Sequence, residues 1–110
     1  MTSILKSEIV ALYVIFGDEA EARRIGRDMV EARLAACVNI LGACHSIYRW
    51  DGAVEEAEEV AAIFKTSHER VNELMQAIHA AHSYEVPAIS VLPIASTHRA
   101  YLEWVLETSG

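Results

Sequence analysis

The chain has 110 residues, a formal net charge of −7 and a pI near 5.1. That length is one ordinary domain, so residues 1–110 are read as a single unit. The acidic balance argues against nucleic acid or an anionic membrane as the main partner, because phosphate binding needs clustered Lys and Arg.

The first run, Ile9 to Phe16 (IVALYVIF), is continuously apolar and rich in β-branched residues, which predicts a buried strand covered on both faces. Gly17-Asp18 ends it. Asp18 followed by Glu21 forms a capping-box pattern and starts a helix. Ala22, Ile25, Met29 and Ala32 recur at helical spacing, while Glu21, Arg24, Arg27, Asp28 and Glu31 take the opposite face. This helix is expected to end near Leu34 or Ala35. A second strand begins in ACVNIL (Ala36 to Leu41), with a bulge or bend at Gly42 before it resumes near His45.

The stretch IYRWDGAVEEAEEVAAIFKT (Ile47 to Thr66) predicts a long β-hairpin. Asp51-Gly52 supplies the two residues that tolerate positive φ in a type I′ turn. Charged arms (Arg49, Glu55, Glu56, Glu58, Glu59) flank the turn, and the apolar residues lie further away. One end of the hairpin should therefore enter a core while the other projects into water. The acidic run Glu55 to Glu59 reads as a solvated arm that discourages strand aggregation. A projecting two-stranded ribbon is a poor structure alone, so a second subunit is expected to cover it.

Thr66 with Glu69 offers another capping box. Val71, Leu74, Met75 and Ile78 then give a helix fading around His82-Ser83. Pro87 opens a fourth strand, and Pro93 near its end marks an edge position or an irregular exit. Ser96 or Thr97 can cap a final short helix on which Tyr101, Trp104 and Val105 share a face. The order β-α-β-β-α-β plus a helix is the split βαβ plan. It is an α+β, ferredoxin-like fold with an antiparallel sheet and both main helices on one face. The hydrophobic content of 53% and mean hydropathy of +0.19 exceed what one small core absorbs easily, and again point to an oligomer.

No apolar run approaches the roughly 20 residues that span a bilayer. The start MTSILKSE is too short and polar for a signal peptide, so a cytoplasmic location is expected. Cys37 and Cys44 have no CxxC partner spacing and read as free, buried thiols.

Five segments together resemble the CutA family of divalent-cation tolerance proteins. They are RLAACVNIL (Arg33 to Leu41), SIYRWDG (Ser46 to Gly52), Lys65-Thr66, HSYEVPAI (His82 to Ile89) and AYLEWV (Ala100 to Val105). The resemblance covers roughly Glu8 to Thr108. It implies a ferredoxin-like subunit in a homotrimer whose long second and third strands reach neighbouring subunits. It also implies a likeness to PII signalling proteins, which bind small ligands in intersubunit clefts, although fold analogy carries little about function.

The family's copper association implies a Cys near the end of the first strand and a His-His pair after the second helix. Here those positions are Val14 and Ala81-His82, and the usual His-Pro-Tyr is His82-Ser83-Tyr84. Only His82 carries over, whereas a transition metal wants three or four ligands. His79 stands three residues before His82 and could assist. Cys37 could act as a soft ligand only with an accessible thiolate, and is expected in the core. A second constellation, Tyr48, Trp50, Lys65, His82, Tyr84 and Glu85, would suit a small anionic or amphipathic ligand in an intersubunit cleft. The same residues can equally serve as interface packing, with Lys65 and Glu85 as an ion pair. No nucleophile triad, phosphate loop or HExxH is present, so the chain is not read as an enzyme. Metal tolerance by binding or signalling is the expected role, with a PII-like sensor or a trimeric anchor for a partner protein as alternatives. Copper or another divalent cation is the implied ligand, and none is needed for folding.

Overall fold

A computed structural model describes residues 7–109. Along the chain lie β1 (Ile9–Phe16), α1 (Glu19–Glu31), β2 (Cys37–Trp50), β3 (Ala53–Ser67), α2 (Val71–Ala81, entered through a 3₁₀ turn at His68–Arg70), β4 (Ile89–Pro93) and α3 (Arg99–Thr108). The sheet order is β2-β3-β1-β4, with every neighbouring pair antiparallel. This is the α+β arrangement expected of a split βαβ chain.

Alternation along the strands sorts side chains between two faces. Val10, Leu12, Val14 and Phe16 join Val60, Ala62 and Phe64 beneath Ala22, Ile25 and Met29 of α1 and Val71, Leu74 and Ile78 of α2. α1 comes close to the sheet at Gly26, where an added Cβ would lie 2.9 Å from Val38 Cγ1. The other face is not left bare. α3 folds back over one end of it, and Val105 packs with Ile9 and Ala36, flanked by Tyr101, Leu102 and Leu106. The chain thus covers part of that face with its own C-terminal helix.

β2 and β3 outrun the rest of the sheet. They pair from Cys37↔Lys65 to Trp50↔Ala53, whereas β1 pairs only with Val60 to Ser67 of β3. The distal ribbon is therefore two-stranded. Its register shifts between Ile40 and Gly42, where Gly42 has φ +105°, so the expected bulge is there. Asp51 (φ 52°) and Gly52 (φ 81°) form the left-handed pair that the tight turn requires. The radius of gyration is 14.7 Å, against about 13 Å for a compact chain of this length.

Three helix ends differ from the sequence reading. Thr66 caps nothing. It sits fully buried in β3 and donates to the Leu34 carbonyl at 2.7 Å, while Ser67 precedes the 3₁₀ turn without a side-chain cap. His98, not Ser96 or Thr97, occupies the cap position of α3 and makes no side-chain bond there. α1 stops at Glu31, before Leu34. Arg33 turns left-handed (φ 62°), and the Leu34 and Arg33 amides bond Met29 and Val30 carbonyls in a Schellman closure. Ala32 is exposed beyond that end.

Candidate functional site

The C-terminal end of β1 brings together the buried side chains of Glu21 and His82. β1 runs out at Phe16, Gly17-Asp18 turns the chain, and α1 begins. Asp18 Oδ1 accepts from the Glu21 amide at 2.8 Å, as the capping-box pattern predicts. Glu21 itself departs from the prediction. It was expected on the outer face of α1, yet it is only 6% exposed. Its Oε1 accepts from the Gly17 amide (3.3 Å) and the Ser83 hydroxyl (3.1 Å), and its Oε2 accepts from the Ser83 amide (2.7 Å). Burial alone would raise its pKa. The Ser83 and Gly17 hydrogen bonds, with His82 nearby, outweigh burial and hold it below the ordinary carboxylate value.

His82 caps the C-terminus of α2 and turns its ring into the protein. Its side chain has no exposure. Nε2 lies 2.8 Å from the Ile15 carbonyl and Nδ1 accepts from the Tyr84 amide at 3.0 Å. These partners assign the neutral tautomer with the proton on Nε2. The ring stacks on Phe16, with centroids 5.1 Å apart and planes 8° apart, and Tyr84 tilts against it at 4.8 Å. Neither nitrogen offers a free lone pair, so a metal at Nδ1 would have to displace the Tyr84 amide. His79 does not join it. That ring is on an exposed residue, with Nε2 3.3 Å from the Glu85 carbonyl.

Tyr84 reaches the base of the ribbon. Its hydroxyl donates to Glu59 Oε2 at 2.7 Å. Burial, then the Glu59 carboxylate, with smaller contributions from Glu21 and Tyr48, push its pKa up to about 12. The phenol therefore stays protonated and keeps donating.

The rest of the predicted constellation is dispersed within one chain. Lys65 makes no hydrogen bond to Glu85. Its Nζ donates to Asn39 Oδ1 at 2.8 Å and lies 5.7 Å from the centre of the Tyr101 ring. Cys37 pairs with Lys65 across the strands and is half-buried instead of sitting in the main core. Its Sγ is 3.4 Å from the Tyr101 hydroxyl, and Trp104 stacks on Tyr101 at 5.8 Å. Burial and the Cys37 contact push Tyr101 to about 12. Cys44, also half-buried, is 3.8 Å from the Ser46 hydroxyl. Tyr48 and Trp50 stand on the distal ribbon, 40% and 60% exposed, and Glu85 is exposed in its loop. Further along the ribbon His45 bridges Glu56 (2.6 Å) and Glu58 (3.1 Å).

Among the described residues, no three His, Cys, Asp or Glu side chains are placed to hold a metal ion. His82 and Cys37 lie in separate settings, each with its own polar partner, so these two do not together form a divalent-cation site within the chain. Also among the described residues, no helix is long and apolar enough to cross a membrane. Sequence reasoning missed Glu21, Glu59 and Tyr101. Glu21 had a signal, since a capping-box glutamate reaches back toward backbone amides. Nothing local indicated that Ser83, sixty-two positions away, would share it.

Residues 10–108 match the family model of the CutA1 divalent ion tolerance protein. The Divalent-cation tolerance protein CutA of Thermus thermophilus is 44% identical over 103 residues, covering 94% of this chain and 99% of that one. Among solved structures, CutA1 from the psychrotrophic bacterium Shewanella sp. SIB1 superposes with a TM-score of 0.91 at 34% identity, covering 94% of this chain and 96% of that one. The structure described as the periplasmic divalent cation tolerance protein CutA from Archaeoglobus fulgidus gives 0.90 at 36% identity, with 93% and 99% covered. With nearly its whole length matched in this way, the chain belongs to the CutA1 divalent ion tolerance family.

Proposed function

We propose that this protein serves divalent-cation tolerance as a homotrimer, through binding or signalling and not through turnover. Membership of the family supports the tolerance role. The distal ribbon supports assembly, and it is the observation that carries the reading. Ile47, Trp50 and Val54 are 60–64% exposed there, and Leu41, Val91, Leu92 and Trp104 add apolar surface along both sheet edges and on α3. Apolar surface set on a two-stranded ribbon and on unpaired edges is unfavourable in an isolated protomer. The number three comes from the family resemblance.

Copper is the first cation to test. The sealed imidazole of His82 argues that any copper site draws its ligands from elsewhere, including from residues of neighbouring subunits. Sedimentation equilibrium at micromolar concentration is expected to give three times the protomer mass, and Trp50→Glu to lower it. A folded lone protomer would sink the assembly reading. Calorimetric titration with cupric ion is expected to give the same affinity for wild type and His82→Ala. Loss of binding in that variant would make His82 a ligand after all. The half-exposed stack of Lys65, Tyr101 and Trp104 favours a second reading, a sensor of small anionic aromatic ligands.

A further inference from the structure

The two amides that follow His82 point to different acceptors. The Ser83 N–H goes to Glu21 Oε2 at 2.7 Å, and the next one, Tyr84 N–H, goes to His82 Nδ1 at 3.0 Å. Two consecutive peptide planes are thereby oriented, and the first of them is held from a different element, the first turn of α1. Glu21 also fastens the Ser83 hydroxyl and the Gly17 amide, so one nearly buried carboxylate ties the loop after β1 to the loop after α2. Hydrogen bonds to an ionised acceptor are about twice as strong as neutral ones.

We propose that Glu21 is the positioning residue for His82: by latching Ser83 it aims the Tyr84 amide at Nδ1 and closes that nitrogen to outside ligands, while the Ile15 carbonyl holds the proton on Nε2. The inference goes beyond the tolerance role and does not depend on the oligomer. If the latch opens, Nδ1 loses its internal donor and becomes a free lone pair, the form in which a neutral imidazole accepts a borderline divalent cation. Glu21 thus decides whether this histidine is part of the fold or available as a ligand.

The test is Glu21→Gln, which keeps the shape but places an NH₂ among amide donors. Amide exchange at Ser83 and Tyr84 is expected to quicken by about tenfold, the factor corresponding to one net hydrogen bond, while Leu12 and Phe64 in the core change far less. The nitrogen-15 shift of His82 Nδ1 should move toward that of an imidazole lone pair with no donor, while Nε2 keeps its proton against the Ile15 carbonyl. Cupric ion alone should broaden the His82 ring signals at a lower metal ratio in the variant than in wild type. A second variant keeps the idea falsifiable if Glu21→Gln folds poorly. Ser83→Pro removes the latched N–H after a residue whose extended backbone (φ −73°, ψ 144°) suits a following proline. Ser83→Pro on its own should move the Nδ1 shift and ease cupric broadening in the same direction as Glu21→Gln. Equal acceleration of all amides, an unchanged His82 Nδ1 shift in the variants, or wild type broadening first would each overturn the proposal.

Discussion

The two ends of the sheet treat their side chains in opposite ways. At the β1 end, Phe16, Phe64 and the His82 side chain are fully buried, and the polar groups among them find partners within the chain. Beyond Gly42 the ribbon shows Ile47, Trp50 and Val54 to solvent, and its carboxylates lie at the surface or half-buried. Both regions are β-hairpin or strand and both are rich in apolar residues. What separates them is a second layer. α1 and α2 cover the first, and nothing among the described residues covers the second. Burial, and not β propensity, therefore separates the two regions.

The contrast can be broken most forcefully at Phe64. Phe64→Ala should cost about 3–5 kcal/mol in urea unfolding, because a fully buried ring leaves a cavity that strands and helices cannot both refill. A cost below about 1 kcal/mol would show that the stability does not reside at this end. Thr66→Val comes next. It keeps the volume but strands the Leu34 carbonyl, so a loss of about 1–3 kcal/mol is expected from thermal or urea denaturation. Asp18→Ala removes the α1 cap and should cost about 1 kcal/mol, checked in the same way.

The smallest effect belongs to the ribbon. Bonds to Glu56 and Glu58 raise the pKa of His45 above its usual value. A raised pKa means that the protonated form is favoured in the fold, so its contribution is complete below the unfolded value. That contribution fades as pH rises through the folded one. Both ring nitrogens donate when charged, whereas the neutral ring must turn a lone pair toward one carboxylate. Nuclear magnetic resonance should show His45 titrating above pH 6.5, with Glu56 or Glu58 signals moving in step and core amides unaffected. A titration midpoint below that value would remove the bridge.

Much of this was legible in the linear chain. IVALYVIF could only be a buried strand, Asp51-Gly52 demanded a primed turn, and Asp18 with Glu21 announced a helix start. Each of these is a short-range constraint on φ/ψ or on one face, so neighbours in sequence suffice to state it. The family resemblance added the ribbon's reach and the candidate histidine. Other features required partners dozens of residues apart. Thr66 looked like a helix cap because its hydroxyl could accept from an amide of the following turn, but it donates instead to the Leu34 carbonyl in the turn after α1. Lys65 was free to be imagined beside Glu85 until cross-strand pairing set it against Cys37, with Asn39 and Tyr101 in reach.

The pattern of apolar and turn residues alone determined the order of strands and helices, because hydrophobic periodicity and left-handed turn positions are properties of adjacent residues. Whether His82 is a ligand or a closed, stacked imidazole was decided only in three dimensions. Its two nitrogens answer to Ile15 and to the backbone of Tyr84, and that backbone is held by Glu21 from another helix. No spacing along the chain encodes that geometry. It arises when two loops are brought to the same end of one strand.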